Sequence, residues 1–277
     1  MGEATPASEP LVIAFVLAAS HSGSTLLSLL LNAHSRVHAL SEIDKIGLHA
    51  RNPDRGRRPL RSPFWRDVAA RYDAAGARKL AQIELRAPRE SRLEGRELAA
   101  WAIEYGRLAE AVAAVSGKRI LVDASKDAAQ LDLLLRAERF DVRVIALVRD
   151  GRGVAHSAAR KTGSFARGLR HWARSQRSAA ALRARVAPER WHSVRYEDLA
   201  RAPEATLRSV CVWLGVAYEP GMLAYRRAAW EGISGNRVAT RSDEKIALDE
   251  RWRRELLWRH RALFALVGAR LNARNGY

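Results

Sequence analysis

The run Leu11-Val12-Ile13-Ala14-Phe15-Val16-Leu17 is apolar throughout and rich in branched residues, the pattern of a strand buried on both faces of a parallel sheet. A small-residue stretch follows, Ala18 to Thr25, and then Leu26-Leu27-Ser28-Leu29-Leu30-Leu31, which reads as a core helix. Four more segments read as strands: Val37–Leu40, Arg119–Asp123, Val142–Val148 and Trp191–Arg195. Ser62-Pro63 is an N-cap with Pro at the first helical position, and it opens a helix through about Tyr72. Further helices are expected over 76–86, from Glu94 to Val115 with a stop at Gly117, from Val154, from Phe165 to Val186, and from Pro203 to Leu214 closed by Gly215. A last helix is expected from Asp249 to Asn272. Residues 51–61 form a basic Pro/Gly loop, and 232–248 an irregular polar one. Strands alternating with helices predict an α/β fold. It is a single domain over 1–277, a P-loop-type parallel sheet of about five strands flanked by helices, with a helical insertion or lid at about 51–117.

In such sheets the chemistry lies beyond the C-terminal strand ends, where Ser22–Thr25, Glu42, Lys126, Arg149, Arg152 and Tyr196 all fall. Ala18 to Thr25 mimics the phosphate loop GxxxxGK[ST], with Ala18 for the first Gly and Ser24 for the Lys. Unpaired N–H groups and the helix dipole would still face an anion there. Loss of the Lys, which neutralises the β/γ-phosphates of a triphosphate, points to a less charged group. An ordinary Gly/Ser turn has the same composition. Lys126 can neutralise a bridging or leaving oxygen, or pair with Asp127. Arg149-Asp150-Gly151-Arg152-Gly153 offers two guanidinium forks for a second phosphate, although Arg152 also suits a solvated helix start. Two such pockets fit a nucleotide with phosphates at both ends of its ribose. Glu42 can take a proton from an acceptor hydroxyl, or it can cap a turn or pair with Lys45. His21 and His156 are bases by type, and single histidines are also structural.

Hydrophobic residues make up 48% of the 277, enough for a large core. The net charge is +18, and only six of the 48 basic residues are Lys. Such a surface attracts polyanions, or decorates solvated helix faces. No zinc-finger spacing, aromatic RNA-binding signature or helix-turn-helix accompanies it, so no nucleic acid is expected as partner. The His and Cys residues show no metal-ligand spacing, and no metal is expected. The single cysteine, Cys211, lies in an apolar run and reads as core. No apolar run reaches the ~18 residues that span a membrane. The acidic start lacks the basic region of a signal peptide, and a cytoplasmic protein is expected.

Taken together, these residues resemble the sulfotransferases that use 3′-phosphoadenosine 5′-phosphosulfate (PAPS), outside 51–117. Among described branches the likeness is to the tyrosylprotein sulfotransferases and to many bacterial proteins of the superfamily. The family loop RSGTT or RSGST, which holds the 5′-phosphosulfate, is matched by His21-Ser22-Gly23-Ser24-Thr25, with His21 for the usual Arg or Lys. A neutral His21 would donate one hydrogen bond, and a charged one would partly restore the Arg role. Counting from the loop, the branch's catalytic Glu falls on Glu42, which the resemblance makes the general base. The NKDP-like segment is matched by Ser125-Lys126-Asp127, implying that Lys126 stabilises the leaving phosphate oxygen. Val148-Arg149-Asp150-Gly151-Arg152-Gly153-Val154-Ala155-His156-Ser157 matches the 3′-phosphate motif VRDGRxxxHS, giving that role to Arg149 and Ser157. Tyr196-Glu197-Asp198-Leu199 matches a YEDL segment whose Tyr lies near the nucleotide. Ser234 and Arg237 fall in a loop that the family folds over it. The resemblance implies sulfuryl transfer from PAPS to a hydroxyl on a small molecule, glycan or peptide. A P-loop kinase-like phosphotransferase and a basic nucleic-acid-binding protein are the alternatives.

Overall fold

Strand β1 (Val12–Ala18) is buried along its whole length because both of its faces are covered. A computed structural model of the chain describes residues 10–51, 61–76, 79–88, 92–233 and 245–277. In it β1 is the centre of a five-stranded parallel sheet, with β2 (Val37–Ser41), β3 (Ile120–Lys126), β4 (Asp141–Val148) and β5 (Trp191–Arg195) in the order β2-β3-β1-β4-β5. Ile13, Phe15 and Leu17 point to one face, where they meet helices α3 (Pro63–Ala74), α4 (Gly95–Ser116) and α5 (Ala128–Arg136). Val12, Ala14 and Val16 point to the other, against α1 (Ser24–Asn32) and α9 (Pro203–Leu214). Helix α1 follows β1 onto one face and α5 follows β3 onto the other. A crevice therefore opens between these neighbouring strands at their C-terminal ends, the usual ligand position in open parallel sheets.

Two bulges sit beside that crevice. Phe15 pairs Asp123 and Leu17 pairs Lys126, so β3 carries one extra residue there. Ala39 pairs Val122 and Ser41 pairs Asp123, so β2 carries one extra residue on its own side. Bulges re-aim the side chains beyond them. The backbone is left-handed at Ser41 (φ 62) and Lys126 (φ 70), and again at His21 (φ 70) and Gly23 (φ 92) in the β1–α1 turn. Left-handed non-glycine residues are costly and collect at functional sites.

On the remaining flank, α6 (Gly151–Thr162) and α7 (Phe165–Arg183) pack with α10 (Arg251–Glu255) and α11 (Trp258–Val267) around a third apolar cluster that includes Trp172, Trp252 and Phe264. The short helices α2 (Ile46–Arg51), α8 (Tyr196–Arg201) and α12 (Ala269–Arg274) complete the chain. Cys211 is buried in the core, where burial pushes its thiol up to about 11.

Two helix expectations are corrected. Over 76–86 the described residues hold only a 3-10 turn, Leu80–Gln82, followed by extended backbone. There Ile83, Leu85 and Ala87 are buried while Glu84 and Arg86 are exposed, a period of two that an extended chain satisfies. Its polar backbone is met by side chains: Trp101 Nε1 donates to the Leu85 carbonyl (3.0 Å) and Gln130 Oε1 accepts from Ala87 N–H (3.0 Å). The final helix is three short ones, α10, α11 and α12. Leu256 is extended at the first break, which lets Trp252, Leu256 and Phe264 enter one cluster, and Gly268 marks the second.

Candidate active site

Glu42 follows the β2 bulge, and Lys126 ends β3 just past the other. Their side chains meet in an ion pair, Lys126 Nζ on Glu42 Oε1, although they lie 84 residues apart in sequence. The second Glu42 oxygen takes Lys45 Nζ, which stands on a 3-10 turn, Ile43–Lys45. Asp127 caps α5 through the Ala129 N–H (2.8 Å) and leaves Lys126 to Glu42. Beneath the pair runs a buried polar chain. Asp123 Oδ1 accepts from Ser125 N–H (2.8 Å) and Ser125 Oγ (2.5 Å), and its Oδ2 accepts from Tyr105 OH (3.0 Å). Ser125 Oγ in turn accepts from Asp44 N–H (3.3 Å). These bonds tie the strand carrying Lys126 to the turn that follows Glu42. Burial is the main cause that pushes the Asp123 carboxyl up to about 7.

The β1–α1 turn lies at the same sheet edge. Gly23 is the N-cap of α1 and no side chain caps that end. A Cβ on Gly23 would stand 2.5 Å from Tyr196 Cδ2, so glycine lets the turn close on the Tyr196 ring. Ser22 Oγ is fully buried and meets no hydrogen-bond partner among the described residues. Ser24 is buried and Thr25 half-buried in the first turn of α1. Burial, then Lys161, Arg149, His171 and Lys126 nearby, hold the His21 imidazole below its ordinary range. These causes favour the neutral form of the His21 ring.

Arg149 is 5% exposed and directly follows β4. It donates to the His21 carbonyl (2.9 Å) and the Asp249 carbonyl (2.8 Å), and lies 4.3 Å over the Tyr196 ring. The Asp249 carboxylate is 3.5 Å away, and Tyr196 OH accepts from the Asp249 N–H (3.1 Å). Hydrogen bonds from Arg251 first, and Arg149 beside it, hold the Asp249 carboxyl well below the usual carboxylate range. Ser157, on α6, has its Oγ 3.3 Å from His21 Nδ1.

Glu42 and Lys126 thus form one cluster, and His21, Arg149, Ser157, Gly23 and Tyr196 a second, both at the C-terminal edge of the sheet. Arg152 pairs with Asp150 (2.6 Å) over the Trp252 ring, and His156 pairs with Glu255 (3.1 Å). Ser234 and Arg237 lie outside the described residues. Sequence reading missed His171, whose Nε2 accepts from Ser20 N–H (3.4 Å), and Asp249. Both sit in segments read simply as helix, and no local motif marks them.

A model described as the sulfotransferase family matches residues 14–220, well over half of the chain. The sulfotransferase domain from the Synechococcus PCC 7002 olefin synthase has a similar fold, with a TM-score of 0.59 at 23% identity over 99% of this chain and 97% of that one. The sulfotransferase domain from the curacin biosynthetic pathway gives 0.56 at 20% identity, over 94% and 98%. At these identities the likeness is one of fold. No curated protein matches the sequence.

Proposed function

The chain belongs to the sulfotransferase family and is a sulfotransferase; from that premise we propose that its donor is PAPS, its acceptor a hydroxyl, and its reacting side chains Glu42 and Lys126. The observation that carries this reading is the meeting of Glu42 with Lys126 beside the open N-terminus of α1. The residues present suit the donor at both ends. Ser22 Oγ, buried without a partner, and the uncapped N–H groups after Gly23 suit an oxyanion. Arg149 Nε is also buried without a partner, and with Ser157 Oγ it suits the 3′-phosphate.

When bound, PAPS supplies a sulfuryl group whose transfer breaks its bond to the 5′-phosphate oxygen. In the resting site Lys126 holds Glu42. With the donor bound, Lys126 would shift from Glu42 Oε1 towards the leaving phosphate oxygen, where its charge is needed most, and Glu42 would take the acceptor's proton. Lys45 stays on the other Glu42 oxygen and keeps the carboxylate aimed. These side chains would hold an acceptor oxygen in line with the bond to be broken, so positioning would supply a large share of the rate.

The test is transfer of labelled sulfuryl from PAPS to a panel of small-molecule, glycan and peptide hydroxyls. Wild type is expected to label at least one class, and Glu42→Gln and Lys126→Ala to lose that labelling. Full activity in Lys126→Ala would overturn the role given to that side chain.

A further inference from the structure

Eight large apolar side chains are exposed among the described residues, and four of them lie within 257–267: Leu257 (47%), Trp258 (80%), Leu266 (86%) and Val267 (39%). On α11, Trp258, Ala262, Ala265 and Leu266 recur at the spacing of one helix face, and Arg259 and Arg261 border that face on its two sides. The opposite face is anchored. Phe264 is buried against Trp172, and His260 stacks on Phe165 at 4.4 Å. Packing on α7 therefore holds the apolar stripe outward. Arg261 donates to the carbonyls of Arg253 (2.8 Å) and Leu256 (3.2 Å), which fixes its charge at the border.

The charge of this arm is one-sided. From Leu256 to Tyr277 there is no Asp or Glu, while Arg259, Arg261, Arg270 and Arg274 are all present. A second copy docked face to face would set arginine against arginine with no carboxylate of the arm to pair, and the adjacent Glu255 is already held by His156. A nucleic acid would answer the arginines and leave Leu266 and Val267 in water. An anionic bilayer answers both: phosphate headgroups take the guanidinium groups, a Trp ring settles at headgroup depth, and leucine reaches the acyl boundary.

We propose that α11 docks this sulfotransferase on the surface of an anionic lipid bilayer, with Trp258 and Leu266 inserted and Arg259 and Arg261 at the headgroups. The mode is surface association, since no described helix is long and apolar enough to cross a membrane. It is independent of the donor and of the roles given to Glu42 and Lys126.

The test floats the full chain with phosphatidylglycerol-containing vesicles and with pure phosphatidylcholine ones. A protein of net charge +18 is drawn to any anionic surface, so the deciding readout is quenching of tryptophan fluorescence by lipids brominated on their acyl chains. Flotation with the anionic vesicles is expected, with quenching that disappears in Trp258→Phe while flotation persists. Trp258→Ser and Leu266→Ser, both at exposed positions, are expected to weaken partitioning about tenfold or more with an unchanged melting temperature. Absence of flotation, flotation without quenching, or quenching that survives Trp258→Phe would overturn the proposal. So would a dimer in sedimentation that Leu266→Ser dissolves.

Discussion

Glu42 and Lys126 leave the sheet through irregular backbone, two bulges and two left-handed residues, whereas Arg149 leaves it at the end of a strand in unbroken register with β1. The first pair hold each other. Arg149 is held instead by what packs on it: two carbonyls, a tyrosine ring and a carboxylate. The difference is one of freedom. An ion pair at a half-buried crevice can exchange a carboxylate for a phosphate without unmaking the fold. A guanidinium tied to the β1–α1 turn and to residue 249 cannot, so it belongs to the architecture as much as to the site.

That contrast breaks most directly at Glu42 and Lys126. Glu42→Gln is expected to lower kcat by about 10²–10⁴ and Lys126→Ala by about 10²–10³. Thermal melting should show a loss of only about 1 kcal/mol for Lys126→Ala, since Lys45 still pairs with Glu42. A large loss of stability there would erase the distinction between the two regions.

The support under Lys126 is tested by pH. With a folded pKa of about 7, above the unfolded value of 3.8, Asp123 binds a proton in the folded state across that window and releases it on unfolding. Its contribution is therefore present below pH ~4 and lost as pH rises towards ~7, worth up to about 4 kcal/mol. Asp123→Asn keeps an acceptor for Ser125 and removes this titration. Denaturant melts between pH 4 and 8 should show wild type losing stability relative to the variant as pH rises.

Arg149→Ala should affect both function and stability. Calorimetry is expected to show preference for 3′,5′-adenosine bisphosphate over AMP reduced about 10–100-fold. Melting is expected to show a loss of about 1–3 kcal/mol, because the His21 and Asp249 carbonyls lose their donor. An intact fold with an intact preference would place the second phosphate elsewhere. The smallest effect is expected for Gly23→Ala. The left-handed backbone and the 2.5 Å approach to Tyr196 should cost about 1–2 kcal/mol, read as a melting temperature a few degrees lower.

Legibility followed locality. The β1 strand, the leucine-rich α1 and the stop of α9 at Gly215 were readable because each is a property of consecutive residues. The stretch Ile83-Glu84-Leu85-Arg86 was misread as helix because a short window holds both periods, and burial against α4 and α5 selects the extended one. At the site the residue types were legible, but their partners were not. Glu42 had Lys45 in view, Lys126 had Asp127, and neither pointed to the other. Asp249 and His171 lie in segments with no phosphate motif, and no pattern near them marks a link to residues 149 or 20.

By itself the sequence determined the five strands, the helices α1, α3, α4, α7 and α9, the small-residue turn at an uncapped helix N-terminus, and the order of the polar residues along the sheet edge. These follow from backbone sterics and from the burial of apolar runs, and both act over a few residues. Tertiary structure decided the pairing of Glu42 with Lys126, the downward shift of the His21 imidazole and the clamp on Arg149. Each depends on strand register and on the dielectric made by distant segments, and neither exists until the sheet has closed around them.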